Sequence, residues 1–241
     1  MPSRSFSADP SLTGLGNAIN TACRIYYPAR SWSVWSKEAI EEEPYHPRVA
    51  IKVLGLAFMG LVSAWEDFVE QCFLRYLCGA RTSTGYAPKL RLGPCKSLSH
   101  AAELLQPGPG PQRLLRWSDY DWVKTVAAVH FVGGKPFSTA NPELLPFLAD
   151  AQHIRNRVAH TSIQARKQFK RVANRLRSVQ ANTAMPTGYS PGMLLRSGPS
   201  SAFPAAWLQQ HDLGATPDNF GAFLSLFWSL ASHICPVRSS A

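Results

Sequence analysis

Three side chains in one short stretch could do chemistry on a phosphodiester. They are Arg155, Asn156 and His160, in the segment Ile154-Arg155-Asn156-Arg157-Val158-Ala159-His160. An imidazole titrates near neutrality, so His160 suits proton transfer. The forked guanidinium of Arg155 suits the negative charge that develops on a phosphorane. Asn156 could orient the histidine or hold a phosphate oxygen. RNA brings its own nucleophile in the 2′-hydroxyl, so such a set needs no metal. The same residues at the same spacing also occur as plain helix decoration, and the surrounding elements must decide between the two.

The spacing predicts that these residues sit inside one long helix. It opens around Asn141-Pro142-Glu143, with Asn as cap and Pro in the first turn. Its apolar seam runs through Ala151, Ile154, Val158, Ala165, Phe169, Val172, Leu176 and Val179. On an ideal wheel of about 100° per residue, Asn156, Ala159, His160 and Ile163 fall opposite that seam. A polar pair beside small and apolar residues suggests a second helix packed there, from another copy of the chain. Arg155 lies about 140° from His160 on the wheel and cannot meet it by helical spacing alone. Beyond the motif the same helix carries Arg166, Lys167, Lys170, Arg171, Arg175 and Arg177. This is either a solvated basic face or a surface that tracks phosphates.

Other elements follow from apolar spacing. A helix is expected over Leu12 to Tyr27, ended by Pro28, behind a polar and frayed start. The strongest helix begins after Pro47 and runs to about Leu77. Its seam is Leu54, Phe58, Leu61, Trp65, Phe68 and Cys72, leaving Glu66, Asp67 and Glu70 off it. Ser97 to Leu105 reads as a short helix. Gln112 to Phe131 reads as another, with Trp122, Val126 and Val129 facing inward and Gly133-Gly134-Lys135-Pro136 stopping it. That Gly-Gly-Lys triplet lacks the spacing of a phosphate loop. Residues 183–204 read as loop with a short extended piece at Met193-Leu194-Leu195. The last helix starts at Thr216-Pro217-Asp218 and buries Phe220, Phe223, Phe227, Leu230 and Ile234. No strand pattern supports a sheet, so the expected class is all-α.

Composition narrows the partners. Hydrophobic content of 45% in 241 residues supports a core and excludes wholesale disorder. A formal net charge of +10 favours polyanions, either nucleic acid or an anionic membrane surface. No exposed amphipathic helix stands out for the membrane reading. The run Glu41-Glu42-Glu43 reads as a solvated face, since adjacent carboxylates on a helix diverge. Five cysteines without CxxC spacing, and an N-terminus lacking an apolar run, suggest a reduced cytoplasmic chain with no metal and no cofactor. The charge-free run from Val53 to Trp65 reads as a core helix, too short to span a bilayer.

An all-helical chain with Arg155-Asn156-Arg157-Val158-Ala159-His160 in a late helix resembles the HEPN superfamily, whose signature is R-x(4–6)-H with a polar residue after the Arg. The early helix bearing Ala64-Trp65-Glu66-Asp67-Phe68-Val69-Glu70 looks like that of the RiboL-PSP-HEPN-like branch. The order of elements is also similar. The resemblance implies a HEPN-like bundle over residues 45–236, with long loop insertions at about 79–111 and 181–215. An N-terminal extension with a short helix (1–44) would precede it and a tail (237–241) follow. It further implies a homodimer that joins two motifs in one cleft, and a metal-independent endoribonuclease of toxin–antitoxin or antiviral-defence type. His160 would then be the acid/base, Arg155 the transition-state stabiliser and Asn156 the polar support. Glu66 is a candidate to orient Arg155; Arg157, Lys167, Lys170 and Arg171 are candidates to bind RNA. The expected partners are RNA, a second copy through the Asn156/Ala159/His160/Ile163 face, and an antitoxin protein. The alternative is a non-catalytic HEPN-like module that binds RNA, nucleotide or protein.

Overall fold

The computed structural model describes residues 6–32, 46–106, 117–178, 183–198, 203 and 218–237. Trp35, the acidic run 41–43, the proline run 107–111 and the expected helix start at 216–217 lie outside the described residues. The described residues are all-α. In order they form α1 (Asp9–Trp32), α2 (Pro47–Leu77), α3 (Leu98–Leu105), α4 (Tyr120–His130), α5 (Leu145–Ala159), α6 (Ile163–Leu176), α7 (Pro191–Arg196) and α8 (Asn219–Ile234). Short 3-10 turns at Val132–Gly134 and Phe137–Thr139 separate α4 from α5. Two isolated bridges, Ser7 with Arg81 and Leu90 with Phe131, are the extended pairings among them.

The chain divides into two compact units. The first comprises residues 1–16, 64–148 and 228–241. Its core gathers on Phe73 of α2, whose ring meets Trp117, Phe131 and Phe137 with centroids 5.5, 5.0 and 4.9 Å away. Tyr76 is fully buried and donates its hydroxyl to the Ile234 carbonyl at 2.7 Å, so its polar end is satisfied. Tyr120 does the same toward the Phe137 carbonyl at 3.1 Å. That bond orients α4. Its buried face is Tyr120, Val123 and Ala127, whereas Val129, expected inside, is 63% exposed. Residues 6–8, expected to fray, are tied down: Arg81 N–H donates to Phe6 and Ala8 N–H donates to Arg81.

The second unit comprises residues 17–63 and 149–227. Tyr26 stacks on Phe220 with centroids 3.7 Å apart, and Phe58 packs edge-on against Phe223 at 5.1 Å. Asp218 ties this core together. Its carboxylate accepts from Tyr26 Oη at 3.0 Å and from the Gly221 N–H at 2.8 Å, and pairs with Arg30 at 3.3 Å. Burial raises the Asp218 pKa, and those bonds partly offset the rise. The same cluster explains why α1 does not stop at Pro28. Proline removes one backbone bond and costs about 3 kcal/mol in a helix interior. Tyr26, Ala29 and Arg30 are nonetheless anchored on both sides of it, and the helix runs on to Trp32.

Close backbone approaches place the remaining helices of this unit. A Cβ on Gly55 of α2 would lie 3.2 Å from Val158 of α5. At Gly192 of α7 it would lie 2.0 Å from the Ile51 carbonyl oxygen, so α7 sits backbone to backbone against α2. Residues 193–195, expected extended, are therefore part of a helix whose Leu194 and Leu195 are fully buried. α2 itself has 31 residues and a stretch of mean hydropathy 1.6, long and apolar enough to cross a membrane, with 44% of that stretch buried inside the protein.

Candidate catalytic turn between α5 and α6

The long helix expected around the motif is two helices. α5 begins at Leu145; Asn141 caps the turn before it, its side chain accepting from the Glu143 N–H at 3.0 Å. α5 ends at Ala159, and the His160 N–H bonds to the Asn156 carbonyl at 2.9 Å in the last turn. The chain then turns through Thr161 and Ser162 into α6. Ser162 is the N-cap of α6, its hydroxyl accepting from the Ala165 N–H at 3.2 Å. Arg157 closes the other side of the turn, donating from Nη1 to the His160 carbonyl at 3.1 Å. A basic side chain on a terminal carbonyl is a favourable end for a helix.

The break changes which residues share a face. Ile163 is the first residue of α6 and is 80% exposed; it does not extend a stripe of α5. Ala159 and His160 are exposed and Asn156 is half-buried, so the four residues expected on one helix surround a turn. Within the motif, Arg155 donates from Nη1 to the Asn156 side-chain oxygen at 3.1 Å. Asn156 therefore supports the guanidinium. Among the described residues the His160 imidazole makes no hydrogen bond to either.

His153 was not among the expected site residues. It is seven residues before His160, two helical turns, and so falls on the same side of α5. His-x-x-Asn-x-x-x-His was the available signal. The two rings are about 10 Å apart along the axis and cannot serve one phosphate in one chain. His153 is half-buried, and its pKa is lowered first by burial and then by the charge of Arg171. α6 thus runs back along α5, and the ion pair between Asp150 and Arg175 fixes the same alignment one turn further on.

The basic residues divide by environment. Arg175 is spent on Asp150, and the Arg177 guanidinium sits over the Tyr189 ring at 5.1 Å. Lys167 and Arg171 are exposed and Lys170 half-buried, three and four apart on α6, with no carboxylate partner among the described residues. Arg157 belongs elsewhere: it lines a cleft against α2 and α7. Glu66, the expected support for Arg155, is a half-buried residue of α2 in the first unit. Among the described residues no three His, Cys, Asp or Glu side chains gather closely enough to hold a metal ion. All five cysteines are free thiols.

No family model, curated protein or solved structure matches the chain.

Proposed function

We propose that the protein is a metal-independent endoribonuclease of HEPN type whose active site forms when two copies bring their α5–α6 turns together. The observation that carries this reading is the local arrangement. An exposed His160 follows the last residue of α5, a guanidinium held by Asn156 precedes it, and α6 continues with Lys167, Lys170 and Arg171, which have no carboxylate partner among the described residues. In the reaction, the imidazole of His160 takes the proton of a 2′-hydroxyl as that oxygen attacks the adjacent phosphorus. Arg155 stabilises the phosphorane charge, and the departing 5′-oxygen takes up the proton carried by the His160 imidazolium, which returns the ring to its neutral form. The cations of α6 hold the flanking phosphates.

A homodimer supplies what one chain lacks, because Arg155 and His160 diverge on α5. The exposed Ala159, His160 and Ile163 are the surface through which the copies meet. The biological setting is a toxin or antiviral effector restrained by an antitoxin protein and acting in the cytoplasm. α2 is read as a core helix, with Leu54, Phe58 and Leu61 wholly buried, and not as a membrane span.

The second reading is a non-catalytic HEPN-like module that binds RNA, nucleotide or protein. The bond from Arg155 to Asn156 favours it, since it turns the guanidinium to its neighbour rather than to His160. RNA incubated with purified protein in EDTA separates the two. Cleavage that disappears in His160→Ala supports the enzyme; intact RNA with retained binding supports the module.

A further inference from the structure

A cleft of about 330 Å³ opens in the second unit where α2, α5 and the start of α7 meet. Its walls are mostly apolar, including Leu56, Val158 and Pro191, and they carry two cations, Lys52 and Arg157. Among the described residues no carboxylate lines it. Lys52 is exposed and has no ion-pair partner among the described residues. Arg157 gives one donor of its five-donor fork, at Nη1, to the His160 carbonyl. Ser190 also lines the cleft. Its hydroxyl oxygen is buried with no hydrogen-bond partner among the described residues, an arrangement that costs free energy unless something supplies the missing bond.

These features together describe a ligand. The volume sits at the small end of ligand clefts, about 300–1,000 Å³, which suits one ring system and not a polymer. Two cations and a hydroxyl match the charge and the three outer oxygens of a phosphate monoester; a carboxylate offers only two oxygens. The apolar walls match a compact hydrophobic body. We propose that this cleft binds a phosphate monoester of a small apolar group, with Lys52, Arg157 and Ser190 on the phosphate and Leu56, Val158 and Pro191 around the body. This does not rest on the ribonuclease reading, since binding is measured without RNA and an inactive protein can still carry the site.

The test is calorimetric titration of the full chain with 1-naphthyl phosphate, 1-naphthoate, 1-naphthol and inorganic phosphate. The phosphate ester is expected to bind saturably, with a dissociation constant below about 1 mM. The other three should each be at least about tenfold weaker. Lys52→Gln and Ser190→Ala should each weaken the ester about fivefold while leaving 1-naphthol unchanged, with thermal melts showing both variants folded. Three results would each overturn the proposal. They are no saturable binding of the ester, equal affinity for the ester and inorganic phosphate or 1-naphthoate, and unchanged ester affinity in both folded variants.

Discussion

Gly192→Ala is a sharp test because two known effects predict opposite signs. Gly192 lies within α7 and has no left-handed backbone angle, so helix propensity alone predicts that alanine stabilises, by up to about 1 kcal/mol. The packing predicts the reverse. The new Cβ would stand 2.0 Å from the Ile51 carbonyl oxygen and 2.9 Å from its carbon. A helix carbonyl cannot rotate aside, so α7 must withdraw by about 1 Å or more to reach ordinary contact distance. Overpacking of this kind costs about 1–3 kcal/mol, and withdrawal also loosens the fully buried Leu194 and Leu195. Taking the upper end and subtracting the propensity gain leaves a loss of about 2 kcal/mol. Urea unfolding followed by far-ultraviolet dichroism should show a midpoint lower by about 1 M. Gly60→Ala is the control: it meets nothing within 4 Å on the same helix as Ile51, and should unfold no earlier than the parent. A Gly192→Ala midpoint equal to or above the parent's would refute the backbone contact between α7 and α2.

Other expectations concern the turn and the proposed dimer. Ser162→Ala removes the hydroxyl that caps α6 and should cost about 1 kcal/mol in the same unfolding assay; no change would mean that the turn holds α6 without its cap. His153 has a lowered pKa in the folded chain, so below about pH 6.5 the unfolded chain takes up a proton that the folded chain resists. Stability is therefore present above that pH and is lost as pH falls toward the folded value; His130, lowered by burial, adds to the loss. His153→Gln should show a shallower loss between pH 7 and 5, and an identical slope would contradict the assigned cause. Ile163→Glu places a charge on the proposed dimer surface and should convert a dimer to a monomer in sedimentation; an unchanged dimer would move the interface elsewhere. If the active site is shared between chains, mixing Arg155→Ala with His160→Ala should restore cleavage that neither variant has, and failure to do so would argue against sharing.

The sequence was most readable where one regular feature controls an element. α2 shows this: Pro47 starts it, and residues spaced four and three apart define a seam that is buried along its length. α8 was equally plain from Phe220, Phe223, Phe227, Leu230 and Ile234. Apolar spacing misled where polar anchors outweigh it. The Tyr120 hydroxyl sets the rotation of α4 and turns Val129 outward, and the Asp218 cluster carries α1 past Pro28. A seam through Val158 and Ala165 fits one helix or two, so it could not reveal the break at Ser162, although serine and threonine side by side favour a cap. α7 has six residues, too few for a period to show. The cleft beside Arg157 joins residues from three distant stretches, and no linear pattern could have grouped them. At the motif, the residue types were legible, but the bond from Arg155 to Asn156 depends on side-chain geometry.

In the proposed reaction Arg155 and His160 cleave RNA through its own 2′-hydroxyl. The most direct measurement uses two oligonucleotides of the same base sequence, one with a single ribonucleotide in an otherwise DNA strand and the other all-DNA, incubated with the protein in EDTA and resolved by mass spectrometry. Cleavage is expected only after the ribonucleotide, with a 2′,3′-cyclic phosphate on the product, and both should be lost in His160→Ala. Cleavage of the all-DNA strand, cleavage that survives His160→Ala, or an intact ribonucleotide strand would contradict the proposed reaction.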